Sequence, residues 1–194
     1  MAVFVGGSAS RGDSVNYVEY IQSSGTQHIN TKFKPNNNTR VVMKFQNTGD
    51  ADLKYYFGER VGHLNAMYEL CTTSSTAFYD GYGNSNLTPA YSNGEYVVDK
   101  NKNVTTLNGT TVTHTANTFQ STLEMVIFGL NNAGTIGYFA TMRLWYFQIY
   151  DNGTLIRDYW PCYDPDGVAC LYDKVNEEYV YNAGTGEFIA GEAA

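Results

Sequence analysis

The chain has 194 residues, a net charge of −7 and a hydrophobic fraction of 43%, values that suit one large domain with a buried core. The acidic balance argues against binding to nucleic acid and to anionic membrane surfaces, because both need clustered Lys and Arg. No apolar run is long enough for membrane insertion as a helix. Seventeen tyrosines and ten phenylalanines are many for this length.

Residues 1–14 are rich in Gly and Ser and are predicted to form a flexible leader, or an arm that docks on a neighbouring subunit. They include Arg11-Gly12-Asp13, an adhesive tripeptide that also arises often by chance. The apolar cluster at 2–5 is too short for a signal peptide and follows no basic residues. We therefore expect a protein made in the cytoplasm without a signal peptide and located on a virion or a cell surface.

Alternation of apolar and polar residues, interrupted by turn residues, predicts short strands throughout residues 15–194. The predicted strands are, in chain order, 15–22, 27–31, 40–46, 55–59, 65–71, 76–80, 94–99, 104–107, 110–115, 123–128, 141–150, 155–159, 168–173 and 178–182. No helical periodicity persists over ten residues. This pattern predicts an all-β, antiparallel two-sheet sandwich.

Asn-Gly pairs at 108–109 and 152–153 are strong signals for type I′ hairpins, because both central residues of such a turn need positive φ. Pro161 is predicted to end the strand 155–159, since proline cannot donate to a strand ladder. Residues 80–86 and 131–134 are predicted to be loops.

Two stretches resemble a known family. The run IYDNGTLIRD, followed by PC, LYD and NAGTGEF, and the opening YIQSSGTQHINTKFKPNNNTRVVMKFQ resemble the concanavalin-like, laminin-G-like jelly rolls of bacterial surface proteins and of phage tail or virion proteins. The resemblance covers about residues 17–191. It implies a jelly-roll sandwich in which the strand near 17–21 lies beside the strand near 178–182. It does not imply one function, because this fold carries lectins, glycosidases and structural modules.

Catalysis is not predicted. Glycosidases of this fold use carboxylates in a pattern like Glu-x-Asp-x-x-Glu, with an acid and a nucleophile held close together. No glutamate of this chain has Asp two positions later, and His28, His63 and His114 lack metal-ligand spacing. No cofactor is predicted, but the resemblance leaves calcium open, with Asp80 and Asn84 as oxygen ligands.

Six residues in or directly beside the two predicted loops are candidates for ligand binding. Tyr rings stack on sugars while amides and hydroxyls form directional hydrogen bonds. The alternative is that most tyrosines are structural, because Tyr packs well on half-buried sheets. The candidates are Tyr79, Asp80, Tyr82, Asn84, Asn131 and Asn132.

The predicted function is that of a non-catalytic carbohydrate-binding or adhesion module of a phage tail, a virion or a bacterial surface. Its expected partner is a glycan or cell-surface polysaccharide. The alternative is a virion structural or decoration subunit that binds other virion proteins. Cys162 and Cys170 either pair across the turn at 165–167 or remain buried thiols.

Overall fold

A computed structural model describes residues 15–194, so the predicted leader and its Arg11-Gly12-Asp13 tripeptide lie outside the described residues. Residues 15–194 form nineteen strands and no helix, which confirms the all-β prediction. Accordingly, this part of the chain contains no helix of the length and hydrophobicity needed to cross a bilayer.

The strands are, in chain order, β1 (Asn16–Tyr17), β2 (Ile21–Gln22), β3 (Ile29–Asn30), β4 (Thr39–Asn47), β5 (Lys54–Gly62), β6 (Asn65–Ser74), β7 (Ala77–Gly83), β8 (Ser85–Leu87), β9 (Glu95–Asn101), β10 (Val104–Leu107), β11 (Thr110–Thr113), β12 (Val126–Ile127), β13 (Leu130–Asn132), β14 (Thr135–Gly137), β15 (Met142–Asp151), β16 (Thr154–Tyr163), β17 (Ala169–Asp173), β18 (Glu178–Val180) and β19 (Ile189–Ala190).

Two sheets pack face to face. The eleven-stranded sheet has the order β11-β10-β9-β4-β15-β16-β17-β18, with β1 on β16 and β2 between β15 and β19. The eight-stranded sheet has the order β14-β13-β5-β6-β7-β8, and β12 joins β3 to β5. Strand pairs are antiparallel except β5 with β13. The predicted antiparallel two-sheet sandwich is therefore confirmed.

The core lies between the sheets and is strongly aromatic. In β4 the burial alternates without a break, and Val41, Met43 and Phe45 are fully buried. Rings from the two sheets meet directly: the centroids of Phe57 and Phe147 are 5.5 Å apart. Successive side chains of a strand point to opposite faces of the sheet, so the residues next to these core residues lie on the outer side.

Both predicted Asn-Gly turns are present, with positive φ at Asn108 and Asn152 and at the glycine that follows each. The predicted end at Pro161 is wrong, because β16 continues to Tyr163. The Pro161 carbonyl accepts a hydrogen bond from the Val18 amide. The N–H and C=O groups of one strand residue point to the same side of the strand. The side on which Pro161 lacks an N–H donor therefore faces the N-terminal segment, and the hydrogen bonds between β16 and β17 are not interrupted.

The two predicted loops are also wrong. Strand β7 runs through Asp80 and Tyr82 to Gly83, and a tight turn then leads into β8. Asn131 and Asn132 belong to β13, which turns at Ala133-Gly134. The Gly and Asn residues of both segments correctly indicate a turn. Each turn is shorter than the predicted loop, however, because the flanking strands extend into it.

The predicted pairing of 17–21 with 178–182 is wrong in detail. The strand β18 pairs with β17, whereas Ile21 pairs with Ala190 of β19 and Val18 forms a bridge with Ala193. The loop after β18 carries the chain back across residues 26–28. Gly184 approaches the Thr26 carbonyl so closely that any Cβ would overlap it, so this approach depends on glycine.

Candidate functional site

The outer side of the eleven-stranded sheet carries a set of partly exposed rings, here called the aromatic face. Along β15, Met142, Leu144, Phe147 and Ile149 are buried in the core, so the intervening residues lie on the outer side. The aromatic face consists of Tyr17, Tyr20, Trp145, Tyr146, Tyr150, Trp160, Tyr172 and Tyr179. It includes both tryptophans of the chain.

A β-bulge in β15 increases the number of rings on this face. The pairing of β15 with β4 shifts between Leu144 and Tyr146, and Leu144 and Phe147 on either side are fully buried. Trp145 and Tyr146 are consecutive, yet both are partly exposed. Bulges re-aim side chains in this way, and they are common near functional sites.

The rings contact one another across neighbouring strands. Tyr20 lies 5.8 Å from Trp145 between centroids, and Tyr146 lies 5.6 Å from Trp160. Further along the sheet Trp160 is paired in register with Tyr172, whose ring is 5.2 Å from Tyr179. The result is a row of rings that crosses β15, β16, β17 and β18 in order.

Four cations rest on these rings. Lys44 lies 4.6 Å above Trp145, Arg143 lies 4.6 Å above Tyr20 and Arg40 lies 5.0 Å above Tyr150. Lys174 lies 3.9 Å from the centroid of Trp160 and 4.8 Å from that of Tyr17. Cation–π contacts of this kind hold the long side chains over the face.

Polar groups between the rings supply further hydrogen-bonding capacity. Asp158 Oδ1 accepts from Trp160 Nε1 at 2.8 Å and from Gln148 Nε2 at 3.0 Å. Burial raises the pKa of Tyr146, so its hydroxyl remains a donor at neutral pH. Aromatic surface with directional donors and acceptors is typical of a binding surface.

The sequence-based candidates Asp80 and Tyr82 are buried on the inner side of the other sheet. Asp80 Oδ1 accepts from Lys100 Nζ at 2.6 Å, and Asp80 Oδ2 accepts from His114 Nε2 at 3.0 Å. Burial opposes ionisation of Asp80, but Lys100 and His114 outweigh it and lower the Asp80 pKa to about 2. The Tyr82 hydroxyl donates to backbone carbonyls of Asn37 and Asn117.

This network ends at the surface. His114 Nδ1 lies 3.0 Å from Ser85 Oγ, so Ser85, His114 and Asp80 are joined as the members of a catalytic triad are. The imidazole is reversed, however, because here Nε2 faces the carboxylate and Nδ1 faces the serine. Lys100 also neutralises Asp80 at shorter range. The network therefore fits a structural crosslink between the sheets.

The other four candidates are separated. Tyr79 lies on the outer side of the eight-stranded sheet, opposite Cys71, and Asn84 is exposed in the β7–β8 turn. Asn131 Nδ2 donates to the Glu124 carbonyl, and Asn132 Oδ1 accepts from Arg60 Nε. The six residues thus do not form one exposed surface. Their ligand-binding role stays a prediction.

The eight-stranded sheet carries two fully buried carboxyl groups, Glu59 of β5 and Glu69 of β6. Glu69 forms no hydrogen bond with any described residue, and its nearest cation is Arg60 at 3.7 Å. Burial raises the Glu69 pKa to about 7, although Arg60 and Lys100 oppose the rise. Burial also raises the Glu59 pKa to about 9, although its bond from Ser121 Oγ opposes this. Both carboxyls therefore titrate far above the usual range of glutamate.

The two remaining expectations from the sequence concern metal ligands and the pairing of Cys162 with Cys170. Within residues 15–194 no three His, Cys, Asp or Glu side chains lie close enough to hold a metal ion. Asp80 does not join Asn84 in a calcium site, because both Asp80 oxygens bond the buried Lys100 and His114. Cys162 and Cys170 are directly opposed free thiols whose sulfurs are 3.6 Å apart.

An open depression of about 500 Å³ lies at one end of the sandwich. It is lined by Asn37, Asn38, Tyr82, Lys102, Asn103, Ala116, Asn117 and Thr118. Amide groups dominate its wall, but no ring is presented for stacking, since Tyr82 is almost fully buried. The aromatic face is therefore the stronger candidate site.

The aromatic face lies outside the two loops predicted from the sequence, so its residues are not among the sequence-based candidates. A signal was available in residues 142–151, where Arg, Trp, Tyr and Gln alternate with apolar residues. Comparison with known proteins adds no relative: no family profile and no curated protein matches the chain.

Proposed function

We propose that this protein is a non-catalytic carbohydrate-binding or adhesion module, carried by a phage tail, a virion or a bacterial surface, and built on a laminin-G-like jelly roll. The observation that carries the proposal is the aromatic face, with both tryptophans held on the outer side of a rigid sheet. Ring faces stack on the apolar faces of sugars, and the adjacent cations, amides and hydroxyls bond the sugar hydroxyls.

The position of the rings supports binding more than stability. Trp145, Tyr146 and Trp160 are partly exposed, whereas the core rings Phe45, Phe147 and Tyr159 are almost fully buried. A patch of exposed aromatic surface usually marks an interaction site on a soluble domain. This differs from the loop site predicted from the sequence, and the difference can be tested directly.

The test is a glycan array probed with the parent protein and with Trp145→Ala and Trp160→Ala. Each variant should bind a recognised glycan about 5- to 30-fold more weakly, the scale of one aromatic contact. Asn84→Ala and Asn132→Ala, which alter sequence-based candidates away from the aromatic face, should bind like the parent. Melting temperatures check that each variant is folded.

The alternative function is a virion structural or decoration subunit that uses the same face to bind protein. Exposed Tyr, Trp and Arg are also typical of protein interfaces. If the parent recognises no glycan on the array, this alternative becomes the preferred function. If Asn84→Ala and not Trp160→Ala loses binding, the loop site is restored.

A further inference from the structure

We propose that the aromatic face binds an internal stretch of an extended, acidic polysaccharide and does not recognise a single terminal sugar. This rests on the proposed glycan-binding function and specifies its ligand class. Two features support this proposal: the length of the row of rings, and the lack of ion pairs at two of the cations that lie over the rings.

The ring row is longer than one sugar ring. It begins at Trp145 and Tyr146 of β15, continues through Trp160 of β16 and Tyr172 of β17, and reaches Tyr179 of β18. Neighbouring strands are about 4.8 Å apart, so three strand intervals span about 15 Å. A row of this length across a sheet face matches a chain that lies along it, with successive sugars on successive rings.

Of the four cations, two are paired with carboxylates and two are not ion-paired with any described residue. Arg40 and Lys44 pair with Asp99 and Glu95 at 2.7 and 2.8 Å. Within residues 15–194, Arg143 and Lys174 form no ion pair. Arg143 Nε donates to the neutral Gln22 Oε1 at 2.9 Å.

These two cations are placed to meet anionic groups of a bound chain. Arg143 lies over Tyr20 beside Trp145, and Lys174 lies over Trp160. In a chain of net charge −7, cations that stay unpaired on the candidate binding face are complementary to a carboxylated ligand. Charge-assisted hydrogen bonds to carboxylates are stronger than neutral ones.

The experiment measures affinity for two oligosaccharide ladders, from monosaccharide to octasaccharide: a uronate series and a neutral glucan series. The parent should bind the uronate series more tightly at equal length. Affinity should rise by about tenfold or more from monosaccharide to tetrasaccharide and then level off as the chain outgrows the row. The double variant Arg143→Gln/Lys174→Gln should bind both series equally.

The control variant is Lys34→Gln, which removes an exposed cation outside the aromatic face and should keep the preference for uronate. Equal parent affinity for the two series would overturn the proposal, as would a monosaccharide that binds as tightly as the octasaccharide. Equally tight binding of a single-stranded oligonucleotide would also overturn it, since the face would then attract any polyanion. Array recognition of a neutral terminal sugar would refute this inference while leaving the proposed function intact.

Discussion

At the residue scale, the most consequential interaction is the buried ion pair between Lys100 and Asp80. Both side chains are fully buried, and Lys100 Nζ also lies 4.8 Å from the Tyr68 ring centroid. The pair joins β9 of one sheet to β7 of the other. The Asp80 pKa is lowered to about 2 in the folded protein. The stability that the ion pair contributes is therefore fully present at a pH above the ordinary pKa of aspartate, and it is lost as the pH falls through the lowered pKa.

We expect Lys100→Met to destabilise the protein by about 3–5 kcal/mol, because it leaves the Asp80 charge buried without its closest partner. Urea unfolding at pH 7 measures this change. The matched control Lys34→Met, at an exposed lysine, should change stability by less than about 0.5 kcal/mol. Equal unfolding midpoints for Lys100→Met and the parent would show that the pair contributes nothing.

The buried glutamates predict an unusual pH dependence. The Glu69 pKa is about 7 in the folded protein and near 4.5 when the group is solvated. The folded state therefore holds a proton that the unfolded state has released, and stability declines as pH rises from about 4.5 to 7. Glu59, with its pKa raised to about 9, extends the decline to higher pH.

Glu69→Gln should therefore match the parent near pH 4 and exceed its stability at pH 8 by on the order of 3 kcal/mol. Thermal unfolding across this pH range measures the difference. The exposed control Glu187→Gln should follow the parent throughout. A Glu69→Gln curve parallel to that of the parent would mean that the carboxyl is solvated.

At the element scale, the sandwich is closed by its last short strand. The loop at 182–188 crosses residues 26–28, and Phe188 then packs against Phe128 with centroids 4.9 Å apart. Only after this crossing does β19 pair with β2. The turn residues of the run NAGTGEF can be recognised in the sequence. The segment that they contact, residues 26–28, cannot, because it lies more than 150 residues earlier in the chain.

Phe188→Ala should destabilise the fold by about 3–5 kcal/mol, because it empties a buried aromatic site and releases β19. The neighbouring Ile189 is 57% exposed, so Ile189→Ala is a close control and should cost less than about 0.5 kcal/mol. Chemical unfolding of the two variants gives the comparison. If they lose equal stability, the closure does not depend on the Phe188 anchor.

At the scale of the whole molecule, one core joins both sheets. Phe45 and Phe147 of one sheet belong to the same buried cluster as Phe57 and Phe78 of the other. Neither sheet can bury its inner side alone, so the domain should unfold as one cooperative unit.

Trp145 and Trp160 both lie on the aromatic face of the eleven-stranded sheet. Their fluorescence therefore reports on that sheet, whereas far-UV circular dichroism reports on both sheets. Tryptophan fluorescence and far-UV circular dichroism should give the same urea midpoint. As a control, the unfolding of Trp160→Phe is followed by circular dichroism alone. Its urea midpoint should equal that of the parent, which checks that the Trp160 side chain does not itself determine the transition. Two separated midpoints would mean that the sheets unfold independently.

The sequence by itself determined the fold class, most strands and the Asn-Gly turns, because alternation and positive φ are local properties of the chain. It did not determine where β7 and β16 end: pairing with neighbours outweighed the turn residues after Asp80 and the proline at 161. Tertiary structure alone decided which tyrosines are buried, since Tyr82 and Tyr146 are equally favourable in a strand. It alone brought Trp145, Trp160 and Lys174 onto one surface, because that surface is assembled from strands paired across the sheet.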